Sequence, residues 1–392
     1  MSVSLLSFLK KCLLFAFILQ VSCTGGKNPG SQGAEIPEKP VISYAKRFTI
    51  EQKRGYSQLT VINPWQGAAG VVQRWYLVPR GVKLKPGLDS SMTIRVPVRN
   101  IICMSTTHLA MISALGEAGT ISGFSGTRFI YDSLLNAMVE KGKIKEIGYE
   151  ENLNKELILD LHPDVVMVYG VGGESSAYTG KLKELGVKVM FNADYLETDP
   201  LGKAEWIRMM GALYGKEKTA DSIFRSVEAR YLLVRDSVGR LATDKPGVLL
   251  GLPFRDTWYI SPGNSYVSKL IDDAGGDYLW KETSSETSMP KSLESVFVTA
   301  VKAGYWLNTG TARSKAGILA IDARLGDLPC FRSGNIFNND RRVNRAGGND
   351  YWESGSVHPD VILLDIASIL HTGIFPGHKL FYYRKIDSTA PP

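Results

Sequence analysis

The chain has 392 residues, which is long enough for two or more domains, each with its own hydrophobic core. Its 44% hydrophobic and 22% charged residues are ordinary for a globular protein. The formal net charge of +7 is a mild excess without a basic run interleaved with aromatics, which argues against nucleic-acid binding and only weakly favours an anionic ligand.

Residues 1–22 are typical of a signal peptide for export. A basic pair precedes the apolar run CLLFAFILQV, which is too short to span a membrane. The following Val-Ser-Cys23 resembles the lipobox of bacterial lipoproteins, in which the cysteine is lipidated, although Gln20 stands where a Leu is usual. The alternative is a plain secretory signal with an incidental cysteine. Residues 23–40 are rich in Gly, Pro and polar residues and predict a flexible tether, so we expect an exported, membrane-anchored lipoprotein.

The remaining cysteines do not predict a disulfide framework. Cys12 leaves with the signal peptide, whereas Cys103 and Cys330 fall in different parts of the chain. We expect these two to be buried free thiols. No Cys/His spacing resembles a zinc site, so no resident metal is predicted.

Residues 41–98 form a β-rich extension. Four β-branched or aromatic runs (VISYAKRFTI, YSQLTVIN, VVQRWYLVP and MTIRVPV) are separated by Gly, Asn and Pro turn signals. They predict a meander that packs on the next domain as a structural element. A domain with its own ligand is the alternative.

A first α/β lobe is predicted over residues 99–197. It opens with IICMSTTHLAMISALG, a short buried strand, a Ser-Thr-Thr turn and a helix in which Thr106 or Thr107 suits the N-cap. Further apolar strands and helices alternate after it, including the continuous run VVMVY. This alternation predicts a parallel sheet flanked by helices.

Residues 198–244 connect this lobe to the next by helices. One helix is predicted from Asp199 to Leu213 and a second from Glu217 to Leu241, with apolar residues every three or four positions along the second. A helix of 25 residues spans roughly 37 Å, longer than one small lobe needs. It predicts a stiff connector.

A second βα series over residues 245–392 predicts a second lobe. The expected fold class is therefore α/β, with two parallel-sheet lobes joined by a long α-helix and preceded by an N-terminal β-rich extension. Two such lobes suggest a ligand held in a cleft between them.

Residues from about Arg99 to Phe375 resemble the periplasmic substrate-binding proteins of ABC importers for iron chelates, heme and cobalamin, the helical-backbone class. Order and spacing carry the resemblance, through RNIICMSTTHLAMISALG, NLNKELILDLHPDVVMVY, MMGALYGKEKTAD, AGGDYLW, SLESVFVTA and HPDVILLDIASILHTGIF. It implies the two-lobe fold, a binding role without catalysis, and an ABC permease as partner. We expect a monomer. Family members present one glutamate on each lobe to permease arginines, and Glu156 and Glu294 match these positions.

Ligands of open parallel sheets bind beyond the carboxyl ends of the strands. In the first lobe these ends fall near Ser105–His108, Ser125–Arg128, Tyr169–Gly173 and Asn192–Tyr195, and in the second near Phe254–Trp258, Thr309–Arg313 and Asn338–Arg342. Aromatic and basic residues in and near this set suit a large, flat or anionic ligand. The predicted ligand-binding residues are His108, Tyr169, Arg255, Trp258, Trp306, Arg341 and Trp352.

The charge of Arg255, Arg313 and Arg341 favours an anionic ferric siderophore, with cobalamin second and heme third. Each would be bound as a ligand, and no cofactor is predicted. Two other classes stay open. One is an exported α/β enzyme that pairs His108 with a nearby Ser or Thr, although no nucleophile elbow is present. The other is an adhesion or scaffold lipoprotein whose active part is the β-rich extension.

Overall fold

The computed structural model describes residues 42–149, 152–170 and 175–387. The predicted signal peptide, the lipidation site Cys23 and the tether lie outside these residues. Within them, no helix has both the length and the apolar character needed to cross a membrane.

The β-rich extension forms a four-stranded sheet in the order β1-β2-β3-β4. Its strands are β1 (Phe48–Lys53), β2 (Tyr56–Ile62), β3 (Val72–Pro79) and β4 (Thr93–Val96). The first three strands are antiparallel neighbours, but β4 runs parallel to β3. The predicted meander is therefore wrong at its last strand, because residues 80–92 are long enough to return the chain to the start of β3.

Two buried carboxylates attach the start of the extension to the rest of the chain. Glu205, which is 0% exposed, accepts the backbone N–H groups of Ser43, Tyr44 and Ala45 at 2.8–3.1 Å. Glu197 accepts those of Lys46 and Arg47 at 3.1 Å. These N–H groups directly precede β1. Their hydrogen bonds to the two carboxylates therefore fix the position at which the extension begins.

The first lobe has a five-stranded, wholly parallel sheet in the order β7-β6-β5-β8-β9. Its strands are β5 (Ile101–Cys103), β6 (Ile121–Phe124), β7 (Lys145–Glu146), β8 (Val165–Val168) and β9 (Val189–Phe191). Its helices are α1 (Thr106–Ala114), α2 (Ser133–Glu140), α3 (Lys155–Asp160) and α4 (Ser175–Glu184). The N-cap of α1 is Ser105, one residue before the predicted threonines, and its side chain accepts the N–H of Thr107 at 3.3 Å.

Three helices connect the lobes, namely α5 (Pro200–Glu205), α6 (Ile207–Tyr214) and α7 (Glu217–Leu241). The single helix predicted from Asp199 to Leu213 is broken at Trp206, whose buried indole donates to Glu197 at 3.1 Å. Helix α7 has the predicted 25 residues and buries one stripe, with Leu233 on its outer side 64% exposed. It packs on α6 and on the closing helix of the second lobe. The predicted long connecting helix is confirmed.

The second lobe has a five-stranded sheet in the order β13-β10-β15-β16-β17 and a small antiparallel sheet in the order β11-β12-β14. The strands are β10 (Gly247–Leu250), β11 (Pro253–Phe254), β12 (Thr257–Ile260), β13 (Asp277–Tyr278), β14 (Met289–Ser292), β15 (Tyr305–Leu307), β16 (Ile336–Asn338) and β17 (Arg384–Lys385). The helices are α8 (Tyr266–Asp273), α9 (Leu293–Ala300), α10 (Lys315–Leu319), α11 (Pro329–Arg332) and α12 (Pro359–Leu370). Only the edge strand β17 of the larger sheet is antiparallel to its neighbour.

The predicted fold class is thus confirmed: two parallel-sheet lobes, a long connecting helix and an N-terminal β-rich sheet. Cys103 and Cys330 are buried free thiols, as predicted, one in each lobe.

Candidate ligand-binding cleft

A cleft of about 730 Å³ lies where the carboxyl ends of the two parallel sheets face each other. Ser105 follows β5 and Tyr195 follows β9 on one side, while Gly251 follows β10 and Asn308 follows β15 on the other. The volume is within the range of small-molecule sites, roughly 300–1,000 Å³. We call this space the cleft.

The first lobe lines the cleft mainly with hydroxyl groups. Ser105, Thr106 and Thr107 form the first turn of α1 and all line it. The Thr107 hydroxyl lies 3.4 Å from the buried Asp194 carboxylate, and the Thr106 hydroxyl lies 3.4 Å from the backbone oxygen of Trp352 in the second lobe. This side offers short hydrogen-bonding groups on a fixed helix end.

The second lobe lines the cleft with aromatic rings: Tyr259, Tyr266, Tyr351 and Trp352. Trp352 is 56% exposed and meets the buried Tyr351 ring edge-on at 4.8 Å. Burial raises the pKa of Tyr351 to about 12 and also raises that of Tyr266. These phenols therefore stay protonated at neutral pH and offer rings and hydroxyls instead of phenolate ligands.

The N-terminal extension also reaches the cleft. Its β2–β3 loop, residues 63–71, contributes Asn63, Trp65, Gln66, Gly67 and Ala68 to the lining. The sequence favoured a structural role for the extension, with a domain that binds its own ligand as the alternative, and did not predict this contribution to the cleft.

The charges of the described residues that line the cleft balance. The charged residues are Arg47, Lys203, Glu197 and Glu286. The Lys203 ammonium lies 3.9 Å from Asp194 and 5.3 Å from the Tyr266 ring centre, so its charge is already partly compensated. Among the described residues, no group of three or more His, Cys, Asp and Glu side chains is arranged to hold a metal ion.

A sequence model of the family described as periplasmic binding protein matches residues 101–338, more than half of the chain. The chain belongs to this periplasmic binding protein family. The family description gives its members a binding role. An uncharacterized lipoprotein of Methanocaldococcus jannaschii is 29% identical over 327 residues, which are 80% of this chain and 76% of that lipoprotein.

Solved structures share the fold of this periplasmic binding protein. A periplasmic heme-binding protein from Pseudomonas aeruginosa has a TM-score of 0.55 at 16% identity and covers 75% of this chain and 100% of its own. A protein of an ABC-type Fe³⁺-hydroxamate transport system from Saccharomonospora viridis has a TM-score of 0.52 at 17% identity, with 70% and 94% covered.

The predicted ligand-binding residues of this periplasmic binding protein are dispersed. Trp352 lines the cleft, and Tyr169 lines an adjoining recess of about 380 Å³ that Trp352 shares. Trp258 and Trp306 are 1% and 0% exposed, and their indoles donate to the backbone oxygens of Leu250 and Gly251 at 2.9 and 2.7 Å. These two indoles support the lining strand end from behind.

His108 is 0% exposed, and burial lowers its pKa to about 3. Neither ring nitrogen has a hydrogen-bond partner within the described part of the chain. The base–nucleophile pair that the enzyme hypothesis requires is therefore not formed.

The predicted arginines lie outside the cleft lining. Arg255 and Arg341 are exposed elsewhere on the second lobe, and Arg313 pairs with Asp340 at 3.4 Å. The charge argument for an anionic ligand therefore does not apply to the cleft.

The two predicted docking glutamates occupy equivalent places. Glu156 lies in the first turn of α3, the helix before β8, and Glu294 in the first turn of α9, the helix before β15. Both β8 and β15 lie next to the first strand of their lobe's parallel sheet. Both glutamates are exposed, and Glu294 lies 3.4 Å from Arg324.

Several cleft residues were missed because they do not follow parallel strands. Tyr259 lies on β12 of the small antiparallel sheet, Trp65 on the extension, and Arg47 just before β1. The strand-end rule does find Ser105–Thr107 and Tyr195. The aromatic Trp65 in a Pro- and Gly-containing loop was the available signal for the extension.

Proposed function

We propose that this periplasmic binding protein captures a bulky metal chelate of low net charge, with a ferric siderophore as the leading candidate, and delivers it to an ABC permease. The main observation that supports this proposal is the large cleft between the lobes. Aromatic rings and hydroxyl groups line it, and the charges of its described lining residues balance. Rings and hydroxyls suit the organic surface of a chelate, and a balanced lining does not compensate a highly charged one.

The absence of a metal-ligating cluster in the described residues agrees with a metal whose coordination is complete before binding. A ferric hydroxamate siderophore meets this condition without net charge, whereas a ferric catecholate is strongly anionic. Heme ranks third, because none of the described residues that line the cleft is a histidine, and burial raises the pKa values of Tyr266 and Tyr351 so that both stay protonated.

Titration of the purified mature protein tests this proposal. Binding of a neutral ferric hydroxamate, an anionic ferric catecholate, cyanocobalamin and hemin is measured by isothermal calorimetry. We expect micromolar or tighter binding of the hydroxamate and at least about tenfold weaker binding of the catecholate, a difference of about 1.4 kcal/mol. Tighter binding of the catecholate, or binding of none of the four, would refute the proposal.

Cobalamin is the second candidate, and the aromatic lining is the observation that favours it. Among the described residues, six aromatic side chains line the cleft, namely Trp65, Tyr195, Tyr259, Tyr266, Tyr351 and Trp352. Such rings cover the flat face of a corrin as well as they cover a siderophore. Cyanocobalamin binding that exceeds hydroxamate binding in the same titration assigns the chain to corrinoid capture.

Export and lipid anchoring at Cys23 belong to the same proposal. The signal-like residues 1–22 and the lipoprotein relative support them.

The proposed docking residues are Glu156 and Glu294. Crossover helices run antiparallel to the strands, so both helix starts lie at the sheet edges that face the cleft. One carboxylate on each lobe would orient the loaded protein on permease cations.

A further inference from the structure

We infer that the β2–β3 loop of the extension, residues 63–71, is a specificity-determining wall of the cleft that contacts the periphery of the bound chelate and limits its size. This inference rests on the proposed function, because it concerns the same cleft. We call this segment the extension loop.

The base of the extension loop is closed by hydrogen bonds. The Asn63 N–H donates to the Val71 oxygen at 2.8 Å, and the Val71 N–H donates to the Asn63 side chain at 3.1 Å. The Arg47 guanidinium donates to the Asn63 backbone oxygen at 2.9 Å. Asn63 has a φ of 46°, a left-handed conformation that asparagine tolerates better than most residues. The loop therefore leaves the sheet in a defined direction.

The tip of the extension loop is attached to the first lobe. The Gln66 N–H donates to the Gly170 oxygen at 3.1 Å and lies 3.2 Å from the Tyr195 hydroxyl, which itself donates to the Gly170 oxygen. The Trp65 ring packs on Phe191 at the end of β9, with centroids 5.1 Å apart. With both base and tip held, the loop is part of the cleft's fixed surface.

The side of the loop that faces the cleft presents groups suited to a chelate. The Gln66 side chain has no hydrogen-bond partner among residues 42–149, 152–170 and 175–387, so its amide is available to a ligand. A Cβ added at Gly67 would meet no atom within 4 Å, so the loop there borders open space. The next two residues differ: Ala68 lines the cleft, whereas Ala69 is exposed and is not part of the lining.

This difference provides a matched pair of variants, Ala68→Trp and Ala69→Trp. Each adds the same bulk to the full-length protein at adjacent positions. Affinities for a smaller and a larger neutral ferric hydroxamate are measured by isothermal calorimetry, and thermal unfolding midpoints are measured in parallel. We expect Ala68→Trp to weaken binding by about tenfold or more, most for the larger chelate, because overpacking of a formed site is costly. We expect Ala69→Trp to change affinity by less than about twofold.

Gln66→Ala is the second variant, and it adds no bulk. We expect an affinity loss of about threefold to tenfold from the lost hydrogen bond, with an unchanged unfolding midpoint. If Ala68→Trp lowers the unfolding midpoint, Gln66→Ala alone decides the inference.

The outcomes separate this inference from the proposed function. Wild-type binding of a hydroxamate, together with equal effects of the two tryptophans and no effect of Gln66→Ala, overturns the inference alone. A wild-type protein that binds neither hydroxamate overturns both. A changed preference between the two chelates in Ala68→Trp but not in Ala69→Trp supports it.

Discussion

The two lobes present similar strand ends to the cleft but different chemistry. In the first lobe β5 leads directly into α1, so the cleft receives the short hydroxyl side chains of a helix start, Ser105–Thr107. In the second lobe the chain leaves the parallel sheet through a small antiparallel sheet and the loop before α12, which carry Tyr259, Tyr351 and Trp352. The βα framework that both lobes share determines where the cleft lies. The segments that connect its elements determine which chemical groups each side offers to a ligand.

The extension is attached to the end of the first lobe and to the connecting helix α5. Glu205 and Glu197 accept five successive backbone N–H groups, from Ser43 to Arg47, and the extension loop then completes the cleft from that side. The first lobe and the extension therefore act as one unit opposite the aromatic second lobe.

The largest expected effect comes from breaking the attachment of the extension. Glu205→Ala leaves three N–H groups and part of Arg208 without their acceptor, so we expect a loss of about 3 kcal/mol in the free energy of unfolding. Chemical denaturation measures it. The control Glu228→Ala removes the acceptor of the Tyr44 hydroxyl from a partly exposed position, and we expect less than about 1 kcal/mol. Equal losses in both variants would show that Glu205 is not the anchor.

A second effect concerns a feature that the two lobes share. Each lobe has an exposed glutamate in the first turn of an equivalent helix, Glu156 in α3 and Glu294 in α9. We expect Glu156→Ala combined with Glu294→Ala to lower ligand uptake in cells by about 30-fold or more, with ligand affinity unchanged, because docking loses both charges. Uptake of labelled ligand measures the first quantity and calorimetry the second. The control is Glu140→Ala, at the exposed end of α2. Normal uptake by the double variant would rule out docking through these residues.

A third experiment compares the two sides of the cleft directly. We expect Trp352→Ala to weaken ligand binding by about tenfold, since a half-exposed indole can be covered by the ligand, and Thr106→Ala to weaken it by about threefold. Calorimetric titration of both variants measures the ratio. A larger loss in Thr106→Ala than in Trp352→Ala would show that the hydroxyl side of the cleft contributes more binding energy than the aromatic side.

A further prediction concerns the contact between the lobes and its dependence on pH. The buried Glu353 of the second lobe accepts the N–H groups of Tyr131 and Asp132 in the first at 2.7 and 2.9 Å. Burial, together with the nearby Asp132 and Asp350, raises the pKa of Glu353 from 4.5 to about 7. The folded state thus holds a proton that the unfolded state releases.

The sign of the pH dependence follows from this proton. The contribution of Glu353 to stability is complete below pH 4.5 and is lost as the pH rises through about 7. We expect Glu353→Gln to remove a pH-dependent decrease in the free energy of unfolding of up to about 3 kcal/mol over this range, because a difference of one pKa unit between the folded and unfolded states corresponds to about 1.4 kcal/mol. Urea denaturation of both proteins at pH 5 and pH 7.5 measures it. Identical pH profiles would exclude Glu353 as the titrating group.

The elements of the two lobes were largely predictable because their signals are local. The apolar run at β8, the helical stripe of α7 and the order of βα units all lie within short windows of sequence. Where tertiary contacts override local pattern, prediction failed. The helix expected from Asp199 to Leu213 breaks at Trp206, whose indole is held by Glu197 beneath the extension.

The cleft was less predictable because aromatic residues in strand ends serve two purposes. Trp258 and Trp306 are placed behind the strand ends and bond to backbone oxygens, whereas Tyr259, adjacent to Trp258, faces the cleft. Sides alternate along a strand, so a one-residue difference decides between core and lining. The arginines expected to attract an anion do not line the cleft. No local sequence pattern predicts whether the side chain of a loop residue points into a cleft.

The sequence by itself determined the α/β class, the two lobes, the long helix between them, and the family, because apolar periodicity and the order of elements are properties of the chain alone. Only the tertiary structure decided that the extension shares the cleft, that the charges of its described lining residues balance, and which rings line it. Those features depend on contacts between residues more than a hundred positions apart, such as Ser43 with Glu205 and Gln66 with Tyr195.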